Sequence, residues 1–256
     1  MLISSGHTSM ARQTATLTVL VCALAGACSA FAQTPPPAPK IWTVAAGAGL
    51  ALTSGNTDTS TVNASYEVTY DPQTRNVVKS DGLAIHSKTN KELSADRVGL
   101  NARDEYMLNA RTYVFGQNQY LRDQFKNIVY LAAPTGGVGY KVIESPATKL
   151  GVDGGIGGVW EKDTGLEVRS SGAVTLGEKL GQTLTPTTLL TQSYSGLWKT
   201  RDFNDSLHVL TFGVAAAMAT NIQLKVELLD TYKNRTPLVS IQKNDVAILV
   251  TFVYKI

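Results

Sequence analysis

The final twelve residues constrain this chain more than any other stretch. Asp245–Ile256 reads DVAILVTFVYKI, with Val246, Ile248, Val250, Phe252, Tyr254 and Ile256 on one parity and Ala247, Leu249, Thr251, Val253 and Lys255 on the other. A period of two is a strand, and one face of this one is wholly apolar. At the edge of a soluble sheet such a face invites aggregation. In a membrane barrel the last strand closes onto the first, and its apolar face meets lipid. Phe252, Tyr254 and Ile256 are therefore read as the barrel-closing C-terminal signal, presented to the barrel-assembly machinery. The final Ile departs from the usual Phe or Trp of such endings.

The N-terminal stretch has a different character. Arg12 is the only Lys or Arg before Lys40, and no acid precedes Asp58. The apolar run Ala15–Ala27 and the small-x-small site Ala30-Phe31-Ala32 read as a secretory signal peptide over 1–32, cleaved after Ala32. A membrane anchor helix is the poorer alternative, because the run is short for a span. Lipidation at Cys28 is a second alternative. Both cysteines of the chain, Cys22 and Cys28, lie in this leader, so a mature chain has no disulfide, cysteine metal site or thiol nucleophile. Residues 33–40 form a Pro-rich linker, and 41–256 form one all-β domain, expected to be a closed antiparallel transmembrane β-barrel of about twelve strands. No run of eighteen apolar residues interrupts it. The formal charge of +3 is spread along the chain, with no basic block to engage nucleic acid.

Strands are expected over Ile41–Thr53, Val62–Tyr70, Val77–Ser87, Ala95–Leu108, Thr112–Tyr120, Ile128–Ile143, Leu150–Glu161, Leu166–Leu176, Leu184–Trp198, Leu207–Met218, Ile222–Tyr232 and Asp245–Ile256. The third is ambiguous, since Lys79 and Asp81 share the parity of Leu83 and Ile85. The sixth is interrupted by Pro134-Thr135-Gly136-Gly137. Turn residues Ser54–Asp58 separate the first two. Twelve is an even count, as a bacterial single-chain barrel requires. With both termini periplasmic, long charged loops fall outside (88–92, 121–127, 199–205 and 233–244) and tight turns fall inside.

A Lys or Arg at the bilayer midplane costs about 2–4 kcal/mol, so the apolar parity must face outward. Glu67, Arg97, Arg103, Glu105, Glu167, Arg169, Lys225 and Glu227 then point into the lumen. Their mixed signs fit a structural ion-pair network better than the alternative, a polar conduit or ligand pocket. Trp42, Tyr66, Tyr70, Trp160, Tyr194, Trp198 and Tyr254 are candidates for interfacial aromatic girdles.

Several stretches resemble the YdiY-like, salt-induced outer-membrane proteins, a family of unknown function. They are Thr53–Thr57, Arg103-Asp104-Glu105-Tyr106, Tyr113–Gln117 with Tyr120–Phe125, Gly137–Tyr140 and the Gly-rich Leu150–Trp160. The resemblance covers Trp42–Ile256 and implies a fold and a place in the Gram-negative outer membrane. It brings no catalytic residues, so the lipid bilayer and the assembly machinery are the partners expected.

Little enzymatic chemistry is legible. His86 and His208 are the only histidines beyond the leader. His208 and Ser206 share the outward parity, as a lipid hydrolase would need, but no G-x-S-x-G supports them. Asp153, Glu161 and Asp163 lack the spacing of a calcium loop. Gly154–Gly158 has neither the Lys nor the following helix of a phosphate loop, and reads as close packing in a narrow barrel. No enzyme, cofactor or metal is expected. The function classes that remain are a structural or stress-adaptive barrel, including a narrow channel, and a ligand-binding barrel.

Overall fold

Alternation of apolar and polar residues fixes which face each strand turns outward, and closure removes the last free edge. The computed structural model describes residues 40–53, 59–124, 126–236 and 241–256. The leader, most of the linker and the turn 54–58 lie outside the described residues. Twelve strands follow in order: β1 (Trp42–Thr53), β2 (Thr59–Tyr70), β3 (Asn76–Thr89), β4 (Glu92–Met107), β5 (Thr112–Asp123) and β6 (Ile128–Glu144). Then come β7 (Thr148–Asp163), β8 (Arg169–Thr185), β9 (Thr188–Lys199), β10 (Asp202–Ala217), β11 (Ile222–Lys233) and β12 (Asn244–Lys255). Each pairs antiparallel with its sequence neighbours, and β1 pairs with β12, so the sheet is a closed barrel.

The closing seam is short. β1 and β12 share four registered pairs, Ala45↔Lys255 to Ala48↔Phe252, whereas β1 and β2 are paired from Trp42↔Tyr70 to Thr53↔Thr59. The Ile256 amide adds a hydrogen bond to the Val44 carbonyl at 3.0 Å. Beyond Ala48, β12 passes on the inner side of β1. A Cβ on Gly49 would lie 2.1 Å from the Val250 carbonyl oxygen. Thr251 Oγ1 reaches past β1 to donate to Asn63 Oδ1 on β2, at 2.9 Å. Only a residue without a side chain fits at Gly49.

Four expectations are corrected. The sixth strand is not broken at Pro134. Its pairing with β7 lapses between Ala132↔Trp160 and Thr135↔Gly157, the place where a missing N–H costs nothing, and Gly157 leaves room for the Pro134 carbonyl. β8 starts at Arg169 rather than Leu166 and runs on to Thr185, so Leu184 belongs to it and not to β9. The contrast of long outer and short inner loops holds for the connection between Lys233 and Asn244 but fails for the others. Residues 88–92 and 199–205 are mostly strand, turned by Asn90-Lys91 and Thr200-Arg201, and Asn90 and Lys91 adopt the positive φ (52° and 69°) of a tight hairpin. Lastly, Leu83 and Ile85 face inward together with Lys79 and Asp81, because part of the interior is apolar.

The outer wall is largely apolar, with Trp42, Leu50, Val62, Leu100, Ile156, Trp160, Leu176, Phe212, Val226 and Ile248 exposed on it. Phe252, Tyr254 and Ile256 belong to the same surface. The wall carries some polar groups. Gln192 Nε2 donates to Glu178 at 2.5 Å, and at the rim away from the termini Asp96 is 3.3 Å from Arg122 and 3.8 Å from His86. No helix among the described residues is long and apolar enough to cross a membrane, which says nothing of strands.

Candidate functional site

Inward rows of side chains divide the lumen into two halves. One lies toward the chain termini and the turns 71–75, 108–111, 145–147, 186–187 and 218–221. The other lies toward the far end, where β7 meets β8 and β11 meets β12.

In the far half much of the interior is filled, and a cavity of about 170 Å³ remains at the rim beside Glu161, Arg169, Lys199 and Asp205. Leu121, Ile128, Leu131, Ala133, Val159, Ala173, Leu197 and Leu207 form one apolar cluster inside the barrel. Ile85, Leu229 and Leu249 form another, with Leu83, Ala95, Val209 and Ala247 against it. Nearer the rim lies a layer of buried charge. Lys233 Nζ on β11 reaches Glu161 Oε1 on β7 at 2.6 Å and Asp163 Oδ1 at 3.2 Å. Lys199 Nζ bonds to Glu161 and, at 2.9 Å, to Asp205. Arg169 Nη2 lies 3.2 Å from Glu161 and 2.5 Å from Asp163. Arg97 on β4 donates to Thr231 on β11 and pairs with Asp123 at 3.5 Å.

Lys126, in the connection between β5 and β6, is fully buried. Its Nζ donates to the Gln242 and Lys243 carbonyls at 2.8 and 2.7 Å and pairs with Asp245 at 2.9 Å. Strands β7 and β11 are not sheet neighbours, nor are β4 and β11, so these contacts span the lumen directly. Each buried charge has an opposite partner, the condition for burying ions at tolerable cost.

In the half toward the termini the interior is open. A cavity of about 380 Å³ is lined by Glu67, Lys79, Asp81, Lys179, Lys225 and Glu227, among others. A second, of about 240 Å³, shares Lys79 and Lys179 and adds Arg103, Glu105, Tyr113, Lys141, Glu144, Lys149 and Asp153. Arg103 is the hub. It donates to Glu105 at 2.9 Å, to Gln117 at 2.7 Å and to Asp153 at 3.0 Å, with its guanidinium 3.7 Å from the Phe115 ring centroid. Lys79 completes the set by pairing with Glu105 at 2.7 Å. Glycines make room for the rings: a Cβ on Gly139 would fall inside Tyr113, and one on Gly155 would lie 3.1 Å from Phe115.

The anticipated residues thus divide. Arg97 and Arg169 belong to the far-end charge layer, and Arg103 and Glu105 to the open half. Lys225 and Glu227 pair with each other at the wall of the larger cavity, which Glu67 also lines. Glu167 is a correction. It lies exposed in the connection before β8, because the strand begins only at Arg169. Asp153, Glu161 and Asp163, considered for a cation, are engaged by Arg103, Lys199, Lys233 and Arg169. No group of three or more His, Cys, Asp or Glu among the described residues is arranged to hold a metal.

Sequence reasoning missed Lys126, Lys179, Lys199, Asp205 and Lys233. Extending the alternation of Lys225 and Glu227 by three steps reaches Lys233, so that one was legible. Lys126 lies in a connection, where parity says nothing.

On the outer wall, His208 Nδ1 is hydrogen-bonded to Tyr194 Oη at 2.7 Å and its Nε2 to Ser206 Oγ at 3.0 Å. Trp198 packs edge-on against the imidazole and Tyr232 lies tilted beside it. Ser206 is buried. The arrangement gives both ring nitrogens of His208 a hydrogen-bond partner among aromatic neighbours.

A family model described as "Protein of unknown function, DUF481" matches residues 46–256. The chain belongs to the DUF481 family. No curated protein matches its sequence. Among solved structures, the NanC porin aligns at 10% identity and a TM-score of 0.49, covering 83% of this chain and 98% of the porin. The translocator domain of the autotransporter NalP from Neisseria meningitidis aligns at 15% identity and 0.46, covering 84% and 88%. An outer membrane channel from Pseudomonas putida F1 aligns at 11% and 0.47, covering 84% and 94%. The barrel of this DUF481 protein is defined by its own strand pairing.

Proposed function

We propose that this DUF481 protein is an outer-membrane barrel whose lumen is a one-ended cup, closed at the far rim and open toward the periplasm. The apolar outer wall supports the membrane placement, since no soluble surface leaves so many large apolar side chains in water. The leader-like N-terminal stretch supports export. The resemblance to salt-induced outer-membrane proteins supports a role in envelope adaptation.

One observation carries the functional reading: Lys233 on β11 bonds across the lumen to Glu161 and Asp163 on β7. With the apolar clusters beneath it, that layer fills much of the far lumen among the described residues, whereas the opposite half keeps two polar cavities. The barrel therefore holds a small polar ligand rather than conducting continuously. A gated channel is the second reading, favoured because part of the closure comes from Lys126 and its contacts with Gln242 and Lys243, outside the strands.

The test couples heat-modifiable gel migration of the fractionated outer membrane with single-channel recording. The cup predicts a heat-modifiable band and no conductance steps. Steady wild-type conductance refutes the cup, and a band that does not shift on heating refutes the membrane barrel.

A further inference from the structure

Resting on the cup just proposed, we infer that its smaller lobe is a binding site for small soluble oxyanions, phosphate or carboxylate, centred on Lys179. The lobe is lined by five cations, Lys79, Arg103, Lys141, Lys149 and Lys179. Against them stand three acids, Glu105, Glu144 and Asp153, so the lobe carries a formal surplus of two positive charges.

The acids are already engaged. Glu105 is held by Lys79 and Arg103, and Asp153 by Arg103. Glu144 is shared by Lys141 and Lys149 at 3.8 and 3.7 Å. Among the described residues Lys179 has no acid within ion-pair distance, and it is exposed to the cup. An ammonium with three donors and no acceptor nearby is the group an oxyanion completes.

Space for the ligand has a separate origin. Lys179 is registered opposite Gly151 on β7, and Gly181 is the next inward position on its own strand. A Cβ on Gly181 would meet nothing within 4 Å, and one on Gly151 only the Tyr140 carbonyl at 3.9 Å. The lysine therefore rises from a floor of bare backbone. Neither glycine has a positive φ or a crowding neighbour, so the fold does not require glycine there. A vacancy of this kind beside an unpaired cation is a seat. The larger cavity adjoins it through Lys79 and Lys179.

Binding of inorganic phosphate and of citrate to the detergent-folded protein, followed by calorimetry, tests the assignment. Lys179→Met should weaken both by about ten- to a hundredfold, the contribution of one hydrogen bond to a charged group. Gly181→Leu should block the seat while the heat-modifiable band is retained, because its side chain enters open space. Lys91→Met, outside the lobe in the β3–β4 turn, should change nothing.

Absence of binding by either anion at 10 mM (about the weakest affinity worth the name) overturns the inference. So does binding that Lys179→Met leaves intact. Residues 29–256 contain no cysteine, so Gly181→Cys labelled by a charged thiol reagent reports on the cup itself. Labelling without anion binding removes only this inference. No labelling removes the cup with it.

Discussion

The two halves of the lumen share one scaffold, the same twelve strands and the same alternation, and differ in what meets across the axis. At the far end Lys233, Glu161 and Asp163 are buried almost completely and their charges meet in direct contact, while the buried Lys126 is met by Asp245. Toward the termini Lys79 is 38% exposed while its partner Glu105 is 7% exposed, and Lys179 has no acidic partner among the described residues. The comparison teaches that closure is not a property of barrel width alone. It arises where apolar inward residues remove water, so that ion pairs must satisfy one another instead of being solvated.

The sharpest way to break this contrast is to remove one partner from each half. Lys233→Met leaves Glu161 and Asp163 short of a buried cation and should cost about 3–5 kcal/mol. Lys225→Met, removing a pair with Glu227 whose side chains are 26% and 14% exposed at the cavity wall, should cost less, about 1–2 kcal/mol. Urea unfolding in lipid vesicles, read from the loss of the compact band, measures both. Equal costs would mean that the far-end layer is wetter than its geometry implies.

Conductance sharpens the same comparison. The double variant Lys126→Ala and Lys233→Ala should produce current steps in planar bilayers, whereas Arg103→Ala with Glu105→Ala should leave the barrel silent. Steps from the second pair alone would move the barrier to the other half. Packing gives a smaller effect. A side chain at Gly155 would press on Phe115 and Thr175, and Gly155→Val should destabilise by about 1–3 kcal/mol. Gly116 has nothing within 4 Å of its Cβ position, so Gly116→Val should stay within about 0.5 kcal/mol. The least effect is expected of Lys149→Ala. That side chain is 70% exposed, and loss of its long contact with Glu144 should be worth less than about 1 kcal/mol in the same assay.

Strand number and facing were legible because period-two alternation survives averaging over a whole barrel. Parity placed Arg103, Glu105, Lys225 and Glu227 inside, and the structure has them there. It failed at strand ends, where a charged residue reads as a loop. Lys199 and Lys233 were assigned to connections, although both terminate strands and point inward. It failed for β3 because inward is not uniformly polar: Ile85 faces an apolar cluster. The ion pairs themselves join residues as far apart as Glu161 and Lys233, and no local pattern announces such a partnership.

The seam between β1 and β12 has a consequence for the life of the molecule. A cylinder fastened by four rungs on one side and eleven on the next, from Ile222↔Tyr254 to Tyr232↔Asn244, has a built-in zip. Amide protons of Ala45–Ala48 and Phe252–Lys255 should exchange with deuterium before those of any other paired stretch. Past these four rungs the edge is held by no ladder, and Val250 lies instead beneath the bare backbone of Gly49.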